Sequence, residues 1–329
     1  MCLLGVFAGR EPTEARRPRK RAIEPGRALG QTVAMDTEPA VSQSTGLVWP
    51  AAVAGIAAFS FSATLYKLSG APPAVGSALR FAYATPFLAL LAWRADALRP
   101  GPGFAPAASA GVLLGLEVVI WNEATRRIGA GPSTVIVNTA SLWVMVLTVV
   151  VLRRPVGLRP VAGAVVVLCG LALLRGTGDH RLELTGIALA ILAAALYGAY
   201  ILIFARAVGA ARDGVSPVLW SSAVAVPVSA ACAVALGESW HLGLGQHAWL
   251  ALLGVGVQAC GWLLIARSLS SFSAVAVSVL LLLQPALAAV WGVAFLDETL
   301  IAIQVAGIAI VLFGVTIARP RADRANGAG

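Results

Sequence analysis

Residues 149–175, VVVLRRPVGLRPVAGAVVVLCGLALLR, and residues 293–319, VAFLDETLIAIQVAGIAIVLFGVTIAR, align without a gap at a shift of 144. Nine of the 27 positions are identical: Val149/Val293, Leu152/Leu296, Val161/Val305, Ala162/Ala306, Gly163/Gly307, Val167/Val311, Leu168/Leu312, Gly170/Gly314 and Arg175/Arg319. Apolar composition inflates chance identity, so the two glycines in register carry the most weight. A repeat of this kind makes the chain two copies of one unit. Each copy is read with five apolar runs, and an odd number of crossings turns the second copy upside down relative to the first. Inverted repeats of this sort place a binding site between the halves near the bilayer midplane.

The composition agrees with a chain that lives in lipid. Of 329 residues, 59% are hydrophobic and only 12% are charged, against about 25% charge in a typical soluble domain. Mean hydropathy is +0.85. One soluble core of this size could not hide that much apolar surface. The fold class expected is therefore an all-α integral membrane protein. Ten transmembrane helices are read at about 47–67, 73–93, 104–125, 130–152, 159–175, 186–205, 216–236, 247–266, 272–294 and 301–318, each long enough to cross a hydrocarbon core. The breaks between them carry glycine, proline and charge, as at Arg94–Gly103 and Arg153–Pro160.

The basic excess (24 Lys+Arg, 15 Asp+Glu, net +9) is read by where it lies. With the N-terminus placed inside, the inner segments hold 18 basic residues. The outer segments hold five: Lys67, Arg126, Arg127, Arg175 and Arg181. That bias puts both termini in the cytoplasm of a multi-pass plasma (inner) membrane protein, with the lipid bilayer as its partner and no nucleic acid. Residues 1–46 read as a disordered basic cytoplasmic tail, with seven basic residues between Arg10 and Arg27; Met35 is an alternative start, and the two readings stand together. The domain division is then 47–175 for the first repeat, 186–318 for the second, and 319–329 for a C-terminal cytoplasmic tail.

Small counts exclude several chemistries. The lysines are Lys20 and Lys67, and neither follows a glycine, so a G-x-x-x-x-G-K phosphate loop is absent. The histidines (His180, His241, His247) do not pair at i, i+4, and the cysteines (Cys2, Cys169, Cys232, Cys260) form no C-x-x-C. No catalytic residues, metal or cofactor are expected, and an intramembrane enzyme finds no His, Asp or Cys cluster to use.

The run Gln284-Pro285-Ala286-Leu287-Ala288-Ala289-Val290-Trp291-Gly292, then Phe295-Leu296-Asp297-Glu298-Thr299-Leu300, then Gln304 and Gly307, resembles the end of an EamA domain. That domain is the repeat unit of the drug/metabolite transporter superfamily. Leu79-Arg80-Phe81 resembles another element of the family. Among members the chain is most similar to the threonine/homoserine exporter type, on Arg153-Arg154-Pro155-Val156 and Leu184-Thr185-Gly186. The first repeat departs from the pattern, with Ser141 where the second has Pro285 and Arg154 where it has Glu298. The resemblance covers nearly all of 47–319. It implies two inverted five-helix EamA repeats and a carrier that moves small metabolites, often outward.

Charges inside spans cost roughly 2.5–3.5 kcal/mol on insertion scales, so each needs a reason. Arg80 lies about 12 Å below the outer edge of its span and Glu117 about 10 Å below the outer edge of the next, at about 1.5 Å per residue. Their depths agree, so a pair is allowed. Arg80 suits a substrate carboxylate through its planar fork. Glu117 suits a substrate amine or a coupling proton. The bland reading is a structural ion pair. Trp121 lies one turn above Glu117 on the same helix face, and lines a cavity or sits at the lipid interface. Asn138, Gln258 and Gln284 are buried amides that pair between helices or line a cavity. Gln284 is favoured because Pro285 breaks the helix beside it. Tyr197 and Tyr200 are further cavity candidates.

The function expected is a secondary-active transporter exporting amino acids or related small metabolites, driven by a proton or a substrate gradient, with a homodimer as an open assembly. The alternatives are a permease of another substrate class, working in uptake or efflux, and a channel-like or non-transporting membrane protein.

Overall fold

A computed structural model describes residues 45–128, 130–174, 183–284, 287 and 302–318 of the chain. The tail read over 1–46 lies outside them, save that its last two residues already begin the first helix. The C-terminal tail of 319–329, and the Pro285 break with the run that follows it, also lie outside. All described residues belong to the unit Ser44–Gly329, and among them every regular element is helical.

In chain order the helices are α1 (Thr45–Ser60), α2 (Ser62–Ser69), α3 (Pro73–Arg94), α4 (Phe104–Ile128), α5 (Ala130–Val137), α6 (Ala140–Val150), α7 (Leu158–Leu174), α8 (Leu184–Ala210), α9 (Ser216–Ala235) and α10 (Leu244–Leu252). A π-helical segment, Leu253–Gly261, then joins α10 to α11 (Trp262–Leu269), followed by α12 (Ala274–Leu281) and α13 (Ala302–Ala318). Six helical stretches are long and apolar enough to cross a bilayer: Pro50–Ser69, Pro73–Arg94, Phe104–Ile128, Leu184–Ala210, Ser216–Ala235 and Leu244–Leu269. The other four of the ten expected spans look different. The run at 159–175 is the 17-residue α7 and the run at 301–318 the 17-residue α13. The run at 272–294 is described only as far as Gln284 and Leu287. The run at 130–152 is two short helices, because Asn138 Nδ2 donates to the Thr134 carbonyl (2.7 Å) and Thr139 Oγ1 to the Ile136 carbonyl (2.7 Å). Side chains bonded back onto the preceding turn bend helices.

Local chemistry sets the other ends. Gly70 closes α2 at φ +58°, a left-handed conformation that suits glycine. Pro73 opens α3 at the first helical position, where a missing N–H costs nothing. Glu238 Oε2 then accepts from the Ala74 and Val75 amides, both at 2.9 Å, and so satisfies two orphan donors of α3.

Close helix packing runs through glycine, as it does in lipid. A Cβ on Gly111 would lie 2.5 Å from the Ser221 carbonyl oxygen, and one on Gly115 3.1 Å from that of Ala225, so α4 and α9 touch backbone to backbone. The repeated glycines make the second seam. A Cβ on Gly170 would lie 2.8 Å from the Gly307 carbonyl oxygen, and one on Gly314 2.9 Å from that of Gly163. Rising numbers on α7 meet falling numbers on α13, so the two helices run antiparallel. Each glycine of one copy meets the non-equivalent glycine of the other, as a two-fold relation between the copies requires.

The element ends sort into two sets. At one end Gln246 Nε2 donates to the Ser69 carbonyl (2.9 Å) and Arg127 Nη1 to Glu183 Oε1 (2.7 Å). Gly103, at the start of α4, packs on Ala207 and Ala211 at the finish of α8, the opposite ends of both helices. Large apolar side chains such as Val150, Leu158 and Phe313 are more than 60% exposed, which suits a surface against lipid and not water.

Candidate functional site

Arg80 (4% exposed) and Glu117 (5%) are charges buried among apolar helices, and both line one cavity of about 110 Å³. A water needs roughly 10–15 Å³ by the same measure, so there is room for several waters or one small solute. The cavity lies between α1–α2, α3, α4, α5, α8, α11 and Gln284. Both repeats of the chain contribute walls.

Arg80 is held from behind. Its Nε donates to Gln258 Oε1 (3.1 Å) and its Nη1 to Ser62 Oγ (3.3 Å). The guanidinium carbon also stands 6.0 Å from the Phe59 ring centroid and 5.8 Å from that of Phe81. Gln258 in turn donates through Nε2 to Ser222 Oγ (3.2 Å). The π-helical turn explains this placement. Gly254 within it brings the backbone so close to α3 that a Cβ there would sit 2.5 Å from the Arg80 carbonyl oxygen. π-Bulges of this kind recur at functional sites.

Glu117 makes no hydrogen bond and no ion pair to another described residue, although Arg80 acts on it through space. The direct ion pairs among the described residues are those of Glu123 with Arg126 and Arg127, and of Arg127 with Glu183, at 2.6–2.7 Å. The structural pairing that equal depth allowed for Arg80 and Glu117 is therefore absent. The two charges share a cavity without neutralising each other.

Of the six candidate residues, the structure brings Arg80, Glu117, Trp121 and Gln284 to the cavity wall. Gln258 does not line it: at 0% exposure it stands behind Arg80, because both ends of its amide are taken by Arg80 and Ser222. Asn138 does not line it either, its amide being turned onto its own helix at Thr134, although Thr134 and Val137 beside it are on the wall. Tyr197 lines the cavity, while Tyr200 is wholly buried in the aromatic cluster next to it.

Trp262 and Phe59 are wall residues that sequence reading passed over. Trp262 packs edge-on against Phe59 (5.2 Å), Tyr200 (4.9 Å) and Phe204 (5.2 Å). A tryptophan deep in a span, away from the interfaces that such residues favour, is the signal that could have found it. The indole N–H groups of Trp121 and Trp262 are buried without a hydrogen-bond partner among the described residues. Buried polar groups are normally paired, so two spare donors on residues of one cavity wall are notable chemistry. Among the described residues no group of three His, Cys, Asp or Glu side chains could hold a metal ion.

No curated protein matches the chain. A crystal structure superposes on it with a TM-score of 0.72 at 16% identity, covering 85% of this chain and all of that one; at that identity the likeness speaks for the fold alone. The EamA-like transporter family profile matches twice, at residues 44–176 and 184–319, which is most of the sequence. With that double match, an all-helical fold and long apolar helices around a cavity that holds two buried ionisable side chains, this chain belongs to the EamA-like transporter family.

Proposed function

We propose that the chain is a secondary-active carrier that exports amino acids or related small metabolites across the plasma membrane. The observation that carries the reading is Glu117: a buried carboxylate without a hydrogen bond to another described residue, on the wall of the same cavity as Arg80. A charge left so in a membrane interior is expensive and marks a pathway for solute or protons. Arg80 takes the substrate carboxylate, and Glu117 takes its amine or the coupling proton. Ten spans in two inverted sets of five, with both termini cytoplasmic, complete the proposal; the antiparallel meeting of α7 and α13 and the basic bias of the loops support it. We propose the threonine/homoserine exporter type as its subtype, on the motifs Arg153-Arg154-Pro155-Val156 and Leu184-Thr185-Gly186.

Reconstituted vesicles loaded with a panel of labelled amino acids test the reading. Saturable efflux of at least one, altered by a pH gradient, is the expected result. Absence of flux for every member with and without the gradient overturns it.

A further inference from the structure

Trp262 is 1% exposed, lines the cavity, and has an indole N–H with no hydrogen-bond partner among the described residues. Its three ring neighbours, Phe59, Tyr200 and Phe204, approach it at interplanar angles of 70–87° and are aromatic faces or edges. An unpaired N–H held by such a cluster costs desolvation energy that packing alone does not repay. Arg80 is on the same wall: Phe59 touches both, its centroid 5.2 Å from the Trp262 ring and 6.0 Å from the guanidinium carbon. Two of the three Arg80 nitrogens are committed, Nε to Gln258 and Nη1 to Ser62, which leaves Nη2 without a hydrogen-bond partner among the described residues. The wall therefore carries two donors without a partner among the described residues, one of them cationic, on side chains that share Phe59 as a neighbour.

We propose that Trp262 is a substrate-contacting residue, its indole N–H and the Nη2 end of Arg80 together binding an oxyanion of the transported molecule, a carboxylate. This rests on reading the cavity as the transport site, and it adds to that reading a residue and a requirement. The substrate must carry the carboxylate, while its amine, facing Glu117, is secondary. The apolar part of the wall, with Ala63, Leu114, Val118 and Val137, sets the rest of the solute as small and apolar.

The test uses the full chain in detergent and three related probes: L-valine, isovalerate (L-valine less its amine) and isobutylamine (L-valine less its carboxylate). L-Valine and isovalerate are expected to raise the unfolding temperature of the wild-type protein, and isobutylamine to leave it unchanged. Trp262→Phe keeps an aromatic ring among Phe59, Tyr200 and Phe204 but removes the donor. It is expected to weaken both carboxylate probes about tenfold, the effect of losing one hydrogen bond to a charged group, with the unliganded unfolding temperature nearly kept.

Equal carboxylate binding by Trp262→Phe overturns the role of the N–H. Binding of isobutylamine as tight as that of L-valine, or no binding of either carboxylate, overturns the carboxylate requirement, and the wild-type comparison decides this even if the variant fails to fold. Vesicle flux of the same probes separates the two levels. Flux of isobutylamine alone keeps the carrier and discards the carboxylate clamp. Carboxylate binding that Trp262→Phe weakens, with no flux of any solute, keeps the clamp and discards the carrier.

Discussion

Arg80 and Gln258 are joined across two helices, the Arg80 Nε donating to Gln258 Oε1 at 3.1 Å while the other end of the same amide donates to Ser222. The amide fixes the guanidinium without neutralising it, so the cation stays available to the cavity. Two substitutions separate those properties. Gln258→Leu removes the acceptor and leaves a buried guanidinium N–H unmet, at a cost of about 1–3 kcal/mol, seen as a lower unfolding temperature and a raised KM in vesicle flux. Gln258→Glu keeps an acceptor in place but sets a carboxylate against Arg80. The fold is expected to persist while binding of carboxylate probes is lost. Retained binding in Gln258→Glu would show that the Arg80 charge does not serve the site.

The π-helical turn that delivers Gln258 depends on one glycine and not its neighbour. A Cβ at Gly254 would meet the Arg80 carbonyl oxygen at 2.5 Å and the Tyr83 Cβ at 2.9 Å, whereas one at Gly256 would meet only the Leu252 Cδ1 at 3.8 Å. Gly254→Ala is therefore expected to push the turn off α3, lowering the unfolding temperature and flux together. Gly256→Ala is expected to leave both unchanged or slightly improved, since alanine is the better helix former by about 1 kcal/mol. Equal effects in the two variants, read by thermal unfolding and flux, would contradict this account of the packing.

Much of this site was legible in the chain before its fold was known, and for one reason: a charge in an apolar span has so few explanations that Arg80 and Glu117 stand out on cost alone. Trp121 followed from Glu117 by helical spacing, because i and i+4 share a face. Gln258 was legible as important but not as a supporting residue, since spacing says nothing of what stands behind a side chain. Asn138 was misplaced because its amide can turn onto its own helix, a local choice that also broke the expected span at 130–152 into α5 and α6. Trp262 was hidden because an indole in an apolar run looks like core, and its spare N–H shows only once its neighbours are known. For the fold, the glycines in register at 163/307 and 170/314 pointed to a repeat. That α7 and α13 meet each other through those glycines is a tertiary fact that spacing does not contain.

The antiparallel seam makes its own prediction. Val167 and Val311 face each other's glycines across α7 and α13, Val311 against Gly170 and Val167 against Gly314. In a background without Cys2, Cys169, Cys232 and Cys260, the pair Val167→Cys/Val311→Cys is expected to cross-link with a short bifunctional thiol reagent. Val161→Cys/Val305→Cys, equivalent positions of the two copies, would be about 17 Å apart along the axis at about 1.5 Å per residue, and is expected not to. Cross-linking of both pairs, read as a mobility shift after cleavage of the intervening chain, would mean that the helices run parallel, since both pairs are then level.

Glu117 gives the sharpest test of coupling. It is buried and without a hydrogen bond, so Glu117→Gln replaces a carboxylate by an amide of the same shape with little loss of packing. Insertion and unfolding temperature are expected to hold, because the desolvation relieved by removing a buried charge offsets the through-space attraction to Arg80 that is lost. If Glu117 carries the coupling proton, the variant still exchanges labelled solute across the vesicle membrane at equal pH but no longer accumulates it against a gradient, and its flux becomes independent of pH. If Glu117 instead holds only the substrate amine, exchange falls and the residual flux keeps its pH dependence. Wild-type exchange, accumulation and pH dependence in Glu117→Gln would remove the carboxylate from the mechanism altogether, leaving Arg80 and the indole donors as the whole of the polar site.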